Sequence, residues 1–201
     1  GDYSLTVTAT DAAGNISAAS DALSMTVDAT APAQPAITTT TTLTTDATPT
    51  IEGTAEAGST VTLLSSGVAI GTTTANGDGQ FSITTSTLAD SNYVLTVTAT
   101  DAAGNISAAS SALNLTVDTT APAKPIITTT TALTNDSTPA IEGVAEAGST
   151  VTLFVDGETT GISATADGTT GVYTIAPSSS LPDGTHNFSV TATDIVGNVS
   201  V

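Results

Sequence analysis

Apolar and polar residues alternate with a period of two along most of this chain. In the stretch NYVLTVTATD, the apolar Leu95, Val97 and Ala99 would share one face of a strand, and the intervening threonines would share the other. STVTLL, GQFSI and ALNLTVD alternate in the same way, and Val and Thr favour strands. Clusters of Gly, Asn, Asp and Pro separate these segments at roughly 8–12 residue spacing, which is typical of a β-sandwich. The pattern therefore predicts an all-β fold.

The chain repeats itself. Residues 5–20 and 95–110 both read LTVTATDAAGNISAAS, and residues 188–200 carry the looser copy FSVTATDIVGNVS. The aspartates of these copies are 90 and 93 positions apart (101 − 11 and 194 − 101), a period that indicates an array of small domains rather than a solenoid. The predicted units are the C-terminal strands F and G of a preceding domain at 1–28, a complete domain at 29–118, and a domain lacking most of its last strand at 119–201.

The complete unit is predicted to be a seven-stranded sandwich, and the units together an elongated rod. The predicted strands are residues 35–43 (A), 48–55 (B), 59–66 (C), 68–75 (D), 80–85 (E), 92–100 (F) and 105–117 (G). In strand G the apolar positions change parity, because Ile106 and Ala108 are even whereas Leu113 and Leu115 are odd. A bulge or kink is therefore predicted near residues 110–112.

The segments TPTIEGTAEAGSTVTLL, LADSNYVLTVTATDAAGN and LTVDTTAPAKP resemble the bacterial Ig-like repeats of giant surface adhesins. These adhesins are Ca²⁺-dependent, type I-secreted (RTX) proteins of Gram-negative bacteria, related to biofilm-associated proteins. The resemblance covers essentially the whole chain. It implies immunoglobulin-like sandwiches that act as an extender, or stalk, which projects a distal binding domain from the bacterial cell surface for adhesion and biofilm formation. The implied partners are the neighbouring repeats of the same chain.

The charge excludes several classes of partner and chemistry. Nineteen acidic residues face one base, Lys124, giving a formal charge of −18, which argues against nucleic acid or an anionic membrane as a partner. No apolar run approaches the roughly 20 residues of a transmembrane helix. One His and no Cys leave no catalytic triad or thiolate metal site that could repeat across units. No enzymatic activity is predicted.

Topology predicts that the remaining carboxylates gather at the junctions between units. In an antiparallel sandwich the B–C loop, the F–G turn and the incoming linker are expected at the same pole. The predicted site residues are Asp28, Glu56, Asp101 and Asn105 at the first junction, and Asp118, Glu146, Asp194 and Asn198 at the second. Two carboxylates 4 Å apart repel by about 4 kcal/mol at an effective dielectric constant of 20, so a cation is expected there. Hard oxygen ligands without His or Cys indicate Ca²⁺.

Simpler interpretations of the same residues remain open. The Asp-Xaa-Xaa-Gly-Asn motif is also typical of a hairpin turn in which Asp accepts backbone amides, and the aspartates before the Pro linkers could merely end a strand. Glu52 and Glu142 are interpreted as solvent-facing strand residues, and Asp90 and Asp183 as turn residues between strands E and F. His186 replaces Tyr93 in the repeat and is interpreted as a strand residue.

Two other functions are weighed against the stalk. A homopolymeric surface filament could assemble if residues 1–28 of one copy donated a strand to residues 119–201 of another. Direct binding of a glycan or of ice is less favoured, because aromatic residues make up only 3% of the chain and threonine is a common solvent-facing strand residue.

Overall fold

A computed structural model describes residues 1–130 and 133–201, which form sixteen strands and no helix. The chain divides into two compact units: residues 1–40, 48–86 and 93–114 in the first, and residues 41–47, 87–92 and 115–201 in the second. This division runs through the complete unit of residues 29–118, called the middle repeat below; residues 119–201 are called the third repeat. The domain boundaries that the sequence predicts at 28/29 and 118/119 therefore stay predictions.

The first strands form an antiparallel hairpin of β1 (Asp2–Leu5) and β2 (Leu23–Thr26), in which Leu5 lies opposite Leu23. Every residue of this hairpin is exposed. Leu23 is 58% exposed, whereas its counterpart in the middle repeat, Leu113, is 9% exposed. The hairpin thus has the strand pattern of the middle repeat without its burial.

The middle repeat has two sheets. The first sheet contains, in spatial order, β3 (Ala36–Ile37), β5 (Thr50–Thr54) and β8 (Gln80–Thr84). The second sheet contains, in spatial order, β4 (Leu43–Thr44), β10 (Leu113–Val117), β9 (Ser91–Thr100), β6 (Thr60–Ser65) and β7 (Val68–Thr74). Leu95, Val97 and Ala99 of β9 are fully buried, which confirms the predicted apolar face. Predicted strands B, C, D, E and F are confirmed to within two residues at each end.

The third repeat has the same two layers. They are β11 (Ile126–Ile127), β12 (Ile141–Val144) and β15 (Val172–Ile175) in one sheet, and β14 (Glu158–Thr165), β13 (Thr150–Val155) and β16 (Phe188–Thr193) in the other. Its core contains side chains from both sheets, Ile141, Val151, Leu153, Tyr173 and Ile175, together with Ala166, which directly follows β14. The all-β sandwich is confirmed.

Strand A is not continuous, contrary to the prediction of residues 35–43. It consists of Ala36–Ile37, which pairs antiparallel with β5, and Leu43–Thr44, which pairs parallel with β10 in the other sheet. The change of sheet begins at Thr39, because its hydroxyl accepts the Glu52 N–H at 2.8 Å and so replaces a main-chain ladder bond. The side chains of Glu52 and of its counterpart Glu142 are exposed, as predicted.

Strand G was predicted to begin at residue 105, and this is wrong. The strand covers Leu113–Val117, and residues 107–112 run beside β9 without strand geometry. Ser107 and Ser110 hold this segment: their hydroxyls accept the N–H groups of Ala99 and Val97 at 2.9 and 3.0 Å. Since the two serines are three residues apart, the segment cannot keep a period of two, which explains the change in parity.

Candidate functional site

The repeated Asp-Xaa-Xaa-Gly-Asn motif folds as a closed turn that its aspartate organises. In the second copy, Asp101 Oδ1 accepts the N–H groups of Ala103 at 2.9 Å and Asn105 at 2.8 Å. Gly104 has a φ of +91°, a left-handed conformation that residues with a side chain rarely adopt. The turns of the first and third copies contain equivalent bonds to Asp11 and Asp194. The turn role that the sequence left open is therefore present in all three copies.

The asparagine at the end of the motif links the turn to the end of the preceding repeat. Asn105 Nδ2 donates to Asp101 Oδ2 at 2.8 Å and also to the main-chain oxygen of Asp28 at 3.1 Å. These three residues lie within the first compact unit. Topology had predicted that they come together, but the atom that Asp28 contributes to this contact is its carbonyl oxygen.

The second junction repeats this arrangement. Asn198 Nδ2 donates to Asp194 Oδ2 at 2.8 Å and to the main-chain oxygen of Asp118 at 3.0 Å. All three residues lie within the second compact unit. In the first copy, Asn15 Nδ2 makes the bond within the turn, to Asp11 Oδ2 at 2.8 Å. Among residues 1–130 and 133–201, there are therefore two junction bridges and one turn that carries only the internal bond.

These hydrogen bonds favour the ionised aspartates. The side-chain bond from Asn105 is the main cause that lowers the pKa of Asp101 below its ordinary value of 3.8, and the equivalent bond from Asn15 does the same for Asp11. At Asp194 desolvation acts in the opposite direction, but the bonds from Asn198 and the turn amides still leave the pKa lowered. The turns therefore hold carboxylates that are charged at neutral pH.

The carboxylates of the two residues that precede the linkers bind the linkers themselves. Asp28 Oδ1 accepts the Thr30 N–H at 3.0 Å, and Asp118 Oδ1 accepts the Thr120 N–H at 3.1 Å. Each aspartate thus begins a short side-chain-to-backbone turn into the linker. Asp28 and Asp118 therefore do more than end a strand, because their carboxylates also bond the backbone of the linker.

The two glutamates of the predicted sites shape equivalent turns, Glu56 between β5 and β6 and Glu146 between β12 and β13. The Glu56 carbonyl accepts the N–H of Ser59 at 3.1 Å and its hydroxyl at 2.7 Å. Glu146 and Ser149 repeat both bonds, at 3.0 and 2.7 Å. Both glutamate side chains are exposed, and within residues 1–130 and 133–201 no hydrogen bond joins them to the Asp–Asn bridges.

As arranged here, the predicted residues do not fit a calcium ion. Calcium requires six to eight oxygen ligands, and in the described part of the chain no three Asp, Glu or His side chains converge as a metal site would require. Between the Asp28 carbonyl and the Asp101 carboxylate lies the NH₂ group of Asn105, which is a donor and not a ligand. A cation could bind there only if the amide turned its oxygen inward. Calcium at the junctions stays a prediction.

Asp90 is a linker contact that the sequence interpretation missed. It was interpreted as a turn residue, yet its Oδ1 accepts the N–H and the hydroxyl of Thr119 at 2.9 and 2.8 Å, and its Oδ2 accepts the hydroxyl of Thr120 at 2.5 Å. The bond from Thr120 is the largest cause of its lowered pKa. The signal available in the sequence was the pair of hydroxyl residues that directly follows Asp118.

His186 has a defined partner in the third repeat. Its Nδ1 lies 2.8 Å from Asp156 Oδ2 and its Nε2 lies 3.0 Å from the Pro182 carbonyl oxygen. The bond to Asp156 is the main cause that raises the pKa of His186 above its ordinary value of 6.5. The residue lies two positions before β16, so the strand interpretation is wrong by that margin.

The comparisons with known proteins agree with this fold. The sequence profile of the bacterial Ig-like domain matches residues 33–119 and 127–201. The chain belongs to the bacterial Ig-like domain family, in two tandem copies. Domains of this kind are typically non-catalytic structural or binding modules. No curated protein sequence matches the chain, and none of its described segments forms a helix able to span a membrane.

Solved structures of other proteins match most of this chain. The fibronectin(III)-like modules of Clostridium thermocellum CbhA are 19% identical with a TM-score of 0.50, over 82% of this chain and 88% of that one. A biofilm associated protein BSP domain is 22% identical with a TM-score of 0.32, over 84% of this chain and 28% of that one. The chain thus spans about a quarter of the length of the latter. At 19% identity, the likeness to the CbhA modules shows the fold alone.

Proposed function

We propose that this chain is an extender segment of a bacterial cell-surface adhesin, in which tandem Ig-like repeats space a distal binding domain away from the cell. One observation carries the proposal: at both junctions the turn of one repeat is bonded through its asparagine to the main chain that ends the preceding one, by Asn105 to Asp28 and by Asn198 to Asp118. A segment that only linked domains flexibly would not require such a contact. Membership of a bacterial Ig-like family supports the same role.

The composition supports an extracellular array. A formal charge of −18 on 201 residues keeps neighbouring molecules apart and favours solubility. Near-identical repeats add length without adding new recognition chemistry. The distal domain would then carry out adhesion and biofilm formation, and these repeats would set its distance from the cell surface.

The role as an extender is tested by changing the number of repeats in the intact adhesin. Removing units of one repeat at a time should lower the attachment of whole cells in steps, because the binding domain moves closer to the cell envelope. Binding of the isolated distal domain to the same target should not change. If the 201-residue chain alone binds that target as tightly as the adhesin does, it is a binding module and the proposal fails.

Calcium at the junctions is a separate prediction from the sequence, which would require the asparagine amides to turn, and it is tested separately. A ligand that binds only the folded form stabilises it by RT ln(1 + [L]/Kd), about 2.7 kcal/mol at a hundred times Kd. If calcium binds at the junctions, it should raise the melting temperature more than magnesium does at equal ionic strength, because magnesium is dehydrated reluctantly. Equal effects of the two ions would indicate charge screening instead.

The filament alternative stays a prediction. Strand donation between copies would make the chain oligomeric in solution, and its average mass would rise with concentration. Light scattering measures this mass directly. A monomer at all accessible concentrations would exclude it for this chain.

A further inference from the structure

We propose that Asp90 and Asn198 form a hydrogen-bonded clamp that holds linker residues 118–120 from both sides and orders them without a divalent cation. Asp90 belongs to the loop before β9 of the middle repeat, and Asn198 belongs to the turn after β16 of the third. Both lie in the second compact unit, together with the linker. The inference concerns this linker alone and does not rest on the adhesin role.

On the Asp90 side of the clamp, the carboxylate accepts hydrogen bonds from the linker. The carboxylate receives one main-chain N–H and two hydroxyl groups from Thr119 and Thr120, at 2.5–2.9 Å. Hydrogen bonds to an ionised acceptor are stronger than those between neutral groups. An N–H cannot ligate a metal, so this arrangement stabilises the ionised carboxylate with neutral protein donors and without a cation.

On the Asn198 side of the clamp, the linker accepts a hydrogen bond from the side chain. One NH₂ group donates both to the carbonyl of Asp118 and to the carboxylate of Asp194, at 3.0 and 2.8 Å. Its two hydrogens occupy the position that a cation would need between those oxygens. At this point, therefore, the hydrogen-bonded clamp and a bound cation are mutually exclusive.

The two linkers of the chain differ at the contact that Asp90 makes. The second reads DTTAP from Asp118, and the first reads DATAP from Asp28, so Ala29 stands where Thr119 stands. Alanine lacks the hydroxyl that bonds Asp90 at 2.8 Å. The substitution Thr119→Ala gives the second linker the sequence of the first and removes one of the three bonds while the N–H remains.

Amide hydrogen exchange of Thr119 and Thr120, measured by NMR with EGTA present, tests the Asp90 side. Both amides donate to carboxylates, at 2.9 and 3.1 Å, and should be protected in the unchanged chain. Asp90→Ala should speed the exchange of Thr119 by about 3- to 10-fold, the effect of losing one hydrogen bond of ordinary strength. Asp183→Ala is the matched control, because Asp183 occupies the same position of the third repeat and, among the described residues, makes no hydrogen bond to the linker; it should leave both amides unchanged.

The Asn198 side is tested by Asn198→Asp, which keeps the shape but turns a donor into an acceptor beside Asp194 and the Asp118 carbonyl. Linker amide exchange should rise in EGTA. The control is Asn15→Asp, where the same motif has only its internal bond to Asp11, and it should not affect the linker. Unchanged exchange in both Asp90→Ala and Asn198→Asp would overturn the clamp.

Calcium separates this inference from the function proposed above. If EGTA alone abolishes the protection of Thr119 and Thr120 in the unchanged chain, and calcium restores it, a cation orders the linker and the clamp is wrong. That result would leave the extender role standing. Protection that is equal in EGTA and in calcium supports the clamp.

Discussion

Replacing Ser107 by Ala should destabilise the first compact unit by about 1–3 kcal/mol, the cost of leaving a buried donor without a partner. The Ser107 hydroxyl accepts the N–H of Ala99 at 2.9 Å and donates to the Ala108 carbonyl at 2.9 Å. Ala99 is fully buried and Ser107 is 8% exposed, so water cannot take the place of the hydroxyl. The assay is urea denaturation, followed by circular dichroism.

The chain contains its own control for this experiment. Ser17 lies in an identical sixteen-residue sequence and accepts the N–H of Ala9 at 2.9 Å, but both residues are exposed. Water can replace that hydroxyl, so Ser17→Ala should change the free energy of unfolding by no more than about 0.5 kcal/mol. Equal losses in Ser17→Ala and Ser107→Ala would refute the reasoning, because burial is the difference between the two sites.

Two further predictions concern the pH dependence and the packing of the sandwiches. The raised pKa of His186 means that its ion pair with Asp156 contributes fully below pH 6.5 and is lost as the pH rises through the raised value; thermal melts between pH 5 and 8 should show this loss, and His186→Gln should abolish it. A Cβ at Gly53 would overlap the Ala36 carbonyl oxygen and the ring of Phe81, so Gly53→Ala should destabilise the middle repeat by at least about 1–3 kcal/mol in denaturant titrations. Gly77→Ala, where the space is open, should have little effect, and a similar loss at both positions would contradict the packing argument.

Strands could be predicted from the sequence where burial alone decides the pattern. In β9 the alternation of buried and partly exposed residues from Leu95 to Thr100 is strict, because one face packs against the other sheet. The same reasoning failed for the first and last strands of the repeat. There Thr39 and Ser107 replace main-chain partners with hydroxyl groups, and hydroxyl residues look the same in sequence whether they face solvent or bond the backbone.

The candidate site could be predicted only to the level of which end of the sandwich its residues occupy. Pole-to-pole topology correctly brought Asp28, Asp101 and Asn105 together. Topology could not show whether Asp28 contributes its carboxylate or its carbonyl oxygen. It also could not show that the Glu56 side chain is exposed and, among the described residues, makes no hydrogen bond to Asp28, Asp101 or Asn105. Asp90 was missed because its partners lie 29 and 30 residues ahead in the linker, beyond any local turn pattern.

The motif ends in asparagine and not in aspartate, and this difference determines how the junction is bonded. With Asp at residue 105, a second carboxylate would face Asp101 at hydrogen-bond distance, and charge repulsion would open the turn unless a cation lay between them. With Asn, the NH₂ group binds both oxygens that face it, at 2.8 and 3.1 Å, and the junction is satisfied by protein atoms alone. The amide also has an oxygen on its other side, so rotation about one side-chain bond would exchange a donor for a ligand. With this geometry the asparagine bridge needs no cation, and calcium could bind there only by turning the Asn105 amide.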